Sequence, residues 1–452
     1  MPSSPPLTFF RQWLHAANSK ATHLLRSAIA RNFIWICLGR GLNILNVLFV
    51  TSLVARYLGP AVVGILSAAS ATVAILKPFT SLGFTHLFVR DLVKDPDSQS
   101  SLVSTVLFVR CLLSILLFAF VSALLWFTTP NQTEFLIKLV VLLLLPLSIF
   151  EVFSDILKAR LLASRLVIAG AWATVAMALA RFIGVRLDAS AVFFAAIILG
   201  GEVLRNLIVS VQAVNLIGPI AASDISPTRF VQLFRESWPL FISHIAASAY
   251  LGVDVLLLEY LAGSTSAGIY SVAARFTAFF FFIPTALASS FFPSLIKSHE
   301  SNAQEYKSRF LDFLCFNVLA ALGLAVIASV LVPQAILYLY GSSFANSVPV
   351  FRIHVFGLVF FFVGIARGQH FVITGDTRFT FACQLVGIIT NLTLNLILIP
   401  VFAEVGAAIA AAATQVAYGL VASFIFPRTR EIGVLQIRAI FSPSPSTLTA
   451  RR

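Results

Sequence analysis

Residues 313–332 read FLCFNVLAALGLAVIASVLV, twenty positions without a charge and with only Asn317 and Ser329 carrying classically polar side chains. A helix of about 20 apolar residues, rising 1.5 Å per residue, crosses a hydrocarbon core about 30 Å thick. The block shows no alternation of apolar and polar residues, as a barrel strand of about 10 residues would. In lipid its backbone groups must therefore be satisfied within a helix. Leu136–Phe150 reads the same way. Working outward, the pattern predicts an all-α polytopic membrane protein with about a dozen spans. They fall near 33–56, 62–84, 102–126, 135–157, 166–186, 190–213, 238–261, 267–292, 310–332, 349–370, 379–401 and 405–426. The fifth is the least regular, because Arg181 and Arg186 interrupt its end.

Composition agrees. Of 452 residues, 59% are hydrophobic and 11% charged, where a soluble domain carries about 25% charge. The net charge of +13 does not indicate nucleic acid, because the basic residues sit between apolar blocks rather than on one soluble module. The odd-to-even turns, 57–61, 127–134, 187–189, 262–266, 333–348 and 402–404, contain no Lys or Arg. The opposite side holds Arg90, Lys94, Lys158, Arg160, Arg165, Arg229, Arg235, Lys297, Lys307, Arg309 and Arg378, together with both basic termini. By the positive-inside rule that side is cytoplasmic. Residues 1–32 show no secretory signal and read as a cytoplasmic tail ending in an interfacial helix. Cys37, Cys111, Cys315 and Cys383 lie inside apolar blocks and read as buried thiols without metal spacing.

An internal repeat divides the chain. Arg56-Tyr57-Leu58, Gly64-Ile65 and Ser67 are answered by Glu259-Tyr260-Leu261, Gly268-Ile269 and Ser271, at an offset of 203 to 204 residues. Leu92-Val93-Lys94 is answered by Leu295-Ile296-Lys297. Six spans separate the copies, so both halves enter from one side as parallel repeats. The organisation expected is a bundle over 33–213, a cytoplasmic linker over 214–237, a second bundle over 238–426 and a basic cytoplasmic tail over 427–452.

The segment Val54-Ala55-Arg56-Tyr57-Leu58-Gly59-Pro60, followed by Gly64, Ser81-Leu82-Gly83 and Val89-Arg90, resembles bacterial polysaccharide flippases of the multidrug/oligosaccharidyl-lipid/polysaccharide exporter superfamily. Asn391 through Asn395 to Pro400, then Gly406 and Thr414, is similar to their penultimate-helix signature, as is Tyr340-Gly341 before span 10. Phe402-Ala403-Glu404 departs from the more polar turn of that pattern. The resemblance implies two pseudo-symmetric six-helix bundles facing a central cavity. It also implies transport of an undecaprenyl-diphosphate-linked glycan from the inner to the outer leaflet, with membrane lipid and other polysaccharide assembly proteins as partners.

Charged groups inside spans mark candidate sites, since each costs about 2.5–3.5 kcal/mol at a helix centre on insertion scales. Span 1 holds Arg40, Asn43 and Asn46; span 2 a stripe of Ser67, Ser70, Ala74, Lys77 and Ser81; span 8 carries Ser271 and Arg275. Spans 1 to 3 contain no acid. Arg40, Asn43, Asn46, Lys77 and Arg275 form a candidate cationic lining, matched to phosphate oxygens; the alternative is snorkelling or pairing with carbonyls. Arg110 and Arg367 read as interfacial at one end, Arg181 and Arg352 at the other. Glu151 and Asp155 read as interfacial beside Lys158, and Glu202 and Arg205 as a mutually neutralising pair. Pro78 and Pro284 are candidate gating hinges or static kinks. Asp254, Asn391, Asn395 and Thr414 offer hard oxygens to Na⁺ or a proton, unless Asp254 pairs with Arg275. Beyond such coupling no cofactor is expected. Of the seven histidines, only His244 reads as placed in a span, in a structural role. Phe279–Phe282 reads as lipid-facing.

Two other functions fit the composition. A multidrug antiporter of the same fold would need acids for cationic drugs, and spans 1 to 3 supply none. A polysaccharide polymerase or ligase would need a large external loop, and the longest, Pro333–Val348, is too short.

Overall fold

A computed structural model of the chain describes residues 35, 38, 39, 41, 42, 44–94, 99–217 and 224–442. The N-terminal tail, Cys37, Arg40, Asn43 and the last ten residues lie outside the described residues. Helix is the only regular structure among the described residues. Among the described residues, nine stretches are long and apolar enough to cross a membrane. Three of them, Asn46–Ser81, Gly252–Ser301 and Arg378–Ile425, run to 36, 50 and 48 residues, far beyond the length a bilayer needs. Each is broken by one residue at positive φ: Gly59 (φ 77°, ψ 170°), Gly263 (φ 86°, ψ 166°) and Ala403 (φ 47°, ψ −125°). Counting each as two crossings gives twelve.

Spans 1 and 2 thus occupy the helix on either side of Gly59. Spans 3 to 6 are Gln99–Thr128, Gln132–Ala159, Ala163–Arg186 and Ala191–Val214. Span 7 runs over 227–262. Span 8 runs over 264–278 and resumes as Phe282–Ser301. Spans 9 and 10 are Ala303–Tyr340 and Ser347–Ile373. Spans 11 and 12 flank Ala403.

The repeat is visible in the backbone. Gly59 and Gly263, 204 positions apart, adopt nearly the same dihedrals, a region open to glycine because it has no Cβ. Ser67 donates to Ser271, its counterpart, at 3.0 Å. Two equivalent atoms meet this way when a pseudo-two-fold axis passes between them. Around that axis Gly64 and Gly268 bring spans 2 and 8 to backbone contact, as small residues allow in membranes.

The turns poor in Lys and Arg share one end of the molecule. Tyr57 OH donates to Ala189 O at 3.1 Å, Lys138 bonds Glu259 at 3.1 Å, and Gly341 packs beside Arg56. At the opposite, basic end Arg90 meets Glu236 at 2.8 Å and Lys307 meets Glu431 at 2.6 Å. The largest apolar core fills the second lobe, centred on spans 8, 9 and 10. Three smaller ones lie in the first lobe, one of them toward the basic end.

Several expectations change. The fifth span is an unbroken helix through Arg181. Pro333 lies inside span 9, which continues to Tyr340, so the turn before span 10 is short. The linker is helical from Pro227, with Ser226 as N-cap accepting from Arg229 N. Its Leu233 is buried in the first lobe's core. The tail folds back as helix Arg430–Phe441, burying Ile432, Leu435, Gln436 and Ala439. Of the Phe279–Phe282 run, only Phe282 is exposed; the other three pack on the second lobe's core. Cys315 and Cys383 are buried as expected, and Cys111 is partly so.

Candidate functional site

Spans 1, 2, 5, 6, 7 and 8 enclose a chamber of about 360 Å³ between the lobes. Ser67, Ser70 and Ser271 supply hydroxyls, and Arg181 and Arg275 the charge. No Asp or Glu lines it among the described residues. Arg275 Nη1 is buried and makes no hydrogen bond among the described residues. Arg181 Nη1 donates to Asn46 Oδ1 at 3.4 Å, tying span 5 to span 1. Two guanidiniums facing one cavity with no acid in its described lining can hold an anion.

Of the residues expected to form a cationic lining, Arg275 lines this chamber and Asn46 bonds Arg181 beside it. Lys77 is not among the lining residues: it is half-exposed and paired with Glu151 of span 4. Glu151, read as interfacial, is thus the partner of Lys77. Arg181, taken as interfacial from its position, takes the place expected of Lys77. A charge three-quarters of the way along an otherwise apolar span was the available signal, but the face it presents to span 1 depends on packing.

Pro78 and Pro284 each lie beside a break. Pro78 O accepts from Leu82 N at 2.9 Å, and Leu82 and Gly83 then turn left-handed (φ 46° and 73°) before helix Phe84–Lys94. Pro284 is the third residue of the helix that resumes span 8 after 279–281. Both breaks are thus local changes of direction next to the proline.

In the second lobe, Asn391 and Asn395 donate to Asp254 Oδ1 at 2.9 and 2.7 Å. Tyr270 OH donates to Asp254 Oδ2 at 2.6 Å and lies 3.0 Å from His354 Nε2. All five are buried. Asp254 has no cationic partner among the described residues, so the expected alternative of an Asp254–Arg275 pair does not form. Asn391 Oδ1, Asn395 Oδ1 and Thr414 Oγ1 are buried without partners. A buried carboxylate surrounded by neutral donors and spare oxygens can hold a cation or a proton. Tyr270 and His354 were missed by the sequence reading; His354 sits inside span 10, so His244 is not the only histidine within a span.

Two other buried cations are structural. Arg110, read as interfacial, is 1% exposed and donates to Asp155 at 3.2 Å and to Thr85 at 3.1 Å. Arg367, also read as interfacial, is 1% exposed and donates to Tyr418 O at 2.7 Å and Ser423 Oγ at 3.1 Å. Residues 417–421 form a π-helical turn, and Arg367 supplies a donor to a carbonyl of that turn. Gln436 donates to Gly419 O at 3.0 Å, which fastens the tail helix to the same turn.

The profile of the family described as "Polysaccharide biosynthesis protein" matches residues 29–299, more than half of the chain and every wall of the inter-lobe chamber. The chain belongs to that family. The chain is 31% identical over 219 residues to the Haloferax volcanii protein named "Probable flippase AglR", covering 46% of this chain and 44% of that one. It is 24% identical over 189 residues to the capsular polysaccharide biosynthesis protein CapF of Staphylococcus aureus, covering 41% and 48%. The matches thus span under half the length of each relative. Among solved structures, the lipid II flippase MurJ in an inward closed conformation superposes with a TM-score of 0.68 at 12% identity, covering 93% of both chains. An inward-facing multidrug resistance MATE transporter superposes with a TM-score of 0.66 at 15% identity, covering 86% of this chain and 95% of that one. At such identities the likeness establishes the fold of two helical lobes.

Proposed function

We propose that this polysaccharide biosynthesis protein is a flippase that moves an undecaprenyl-diphosphate-linked oligosaccharide across the bacterial inner membrane by alternating access, with both termini cytoplasmic. The observation that carries the reading is the inter-lobe chamber holding Arg181 and Arg275 without an acid. A diphosphate needs such donors, whereas a cationic drug needs the acids that this lining lacks. The polyprenyl tail stays in the bilayer while headgroup and sugars pass between the lobes.

The test is complementation of a strain lacking the gene, scored as surface polysaccharide per unit of protein in the membrane. Arg181→Ala and Arg275→Ala each lower export, and the double variant lowers it further at unchanged abundance. Full export by the double variant sinks the reading. The Asp254 cluster supports a second element of the proposal, coupling to Na⁺ or H⁺, because its spare oxygens lie buried in the lobe that does not hold most of the chamber wall.

A further inference from the structure

A second chamber, of about 470 Å³, lies inside the first lobe between spans 1, 4, 5 and 6. It shares Arg181 and Ile198 with the inter-lobe chamber, so the two adjoin at those side chains. Its size falls within the range of about 300–1,000 Å³ typical of small-molecule sites. Small residues keep it open: a Cβ at Gly170 would meet nothing within 4 Å.

The polar groups differ in kind from those of the first chamber. Glu202 and Arg205 both line it, one turn apart on span 6, and Arg205 Nη2 donates to Glu202 Oε2 at 2.5 Å. Thr174 adds a hydroxyl and Asn46 an amide at the mouth. Glu202 lies near the middle of its 24-residue span, where an ionised side chain is costly and marks a pathway or site. The pair is nonetheless not sealed in protein. The Arg205 and Glu202 side chains are 33% and 42% exposed, and Arg205 Nε has no hydrogen-bond partner. A pair that served only to neutralise itself gains nothing from this opening.

Charge separates the two chambers. The first presents two guanidiniums and no acid, and suits an anion. The second holds, besides the shared Arg181, one acid and one base, Glu202 and Arg205, which pair with each other, and its carboxylate opposes a second anion. It suits a neutral group rich in hydroxyls, which donates to Glu202 and accepts from Arg205. Leu144, Met177 and Ile197 complete its wall with apolar surface, against which the C–H face of a sugar ring packs.

We infer that this side chamber is the glycan-reading subsite. It takes the sugar nearest the diphosphate, with Glu202 and Arg205 bonding its hydroxyl or amide groups, while the diphosphate rests between Arg181 and Arg275. The inference depends on the flippase reading.

The test uses the full-length protein in nanodiscs and two probes: undecaprenyl diphosphate without sugar, and the lipid-linked glycans extracted from cells lacking this gene. Gly170→Leu fills the chamber where space is open, and Glu202→Gln removes the acceptor charge. The wild type binds the glycan-bearing pool about tenfold or more tighter than the bare lipid, a ratio worth one decade of affinity. Both variants lose that preference and keep the bare-lipid affinity of the wild type, with Gly170→Leu also keeping its melting temperature. The inference is overturned if the wild type shows no preference, if Gly170→Leu retains it, or if the variants lose both probes equally. If the wild type binds neither probe, the flippase reading itself fails.

Discussion

Gly64 and Gly268 hold the two lobes together where a single methyl group has no room. A Cβ on Gly64 would stand 1.7 Å from Ser264 O, and one on Gly268 would stand 1.9 Å from Pro60 O. Real Cβ atoms do not approach within 3.0 Å, and the obstacle is backbone, which cannot rotate aside. Gly64→Ala must therefore push spans 2 and 8 apart by more than 1 Å at this level. Overpacking of that kind costs about 1–3 kcal/mol. Ser67 and Ser271 are one turn along, and parting the spans also strains their 3.0 Å bond, adding about 0.5–1.5 kcal/mol. The sum disfavours the lobe arrangement seen here by at least tenfold, since about 1.4 kcal/mol is one decade. The assay is disulfide trapping between Ser67→Cys and Ser271→Cys in a background without the native cysteines, with a protease site placed in the inter-lobe linker. In the parent the two fragments stay joined until reduced; with Gly64→Ala they join at least tenfold more slowly. Gly323→Ala is the control, because a Cβ there meets nothing within 4 Å. The Gly64→Ala, Gly268→Ala pair costs less than the sum of the singles, because both act on one contact. Trapping at the parental rate in Gly64→Ala would refute the close contact at the axis.

Two further outcomes follow from the buried polar groups. Arg367→Met leaves Tyr418 O without its guanidinium donor, at about 1–3 kcal/mol, while Ser423 Oγ keeps its bond to Gln436 Oε1; a lowered melting temperature in detergent checks this, and Arg367→Lys restores little because one ammonium cannot reproduce the planar fork. In proteoliposomes, a sodium or pH gradient stimulates glycolipid transport by the wild type, and Asp254→Asn abolishes the stimulation; a wild type indifferent to both gradients removes the coupling proposal.

The candidate site was legible in part, for a consistent reason. Spacing along one helix gave the face shared by Asn391 and Asn395, and both bond Asp254 as that face suggests. Spacing also placed Arg275 beside Ser271. It did not separate Lys77 from Arg181, because both are single cations in apolar helices. One meets Glu151 and the other faces a cavity only because of which spans lie alongside. Tyr270 and His354 are 84 residues apart and come together only across spans 8 and 10.

The sequence by itself determined that this chain crosses a membrane about twelve times, with its basic turns at one end and its two halves in parallel. A bilayer tests each segment separately, for length, apolarity and flanking charge, so those properties are written locally. The tertiary structure alone decided which polar groups share a space. A helix has one set of faces but many possible neighbours, and only packing decides which face meets which. Thus packing leaves Arg181 between two chambers, seals Arg110 and Arg367 inside the lobes, and opens Glu202 and Arg205 to a cavity that no pattern in the chain announced.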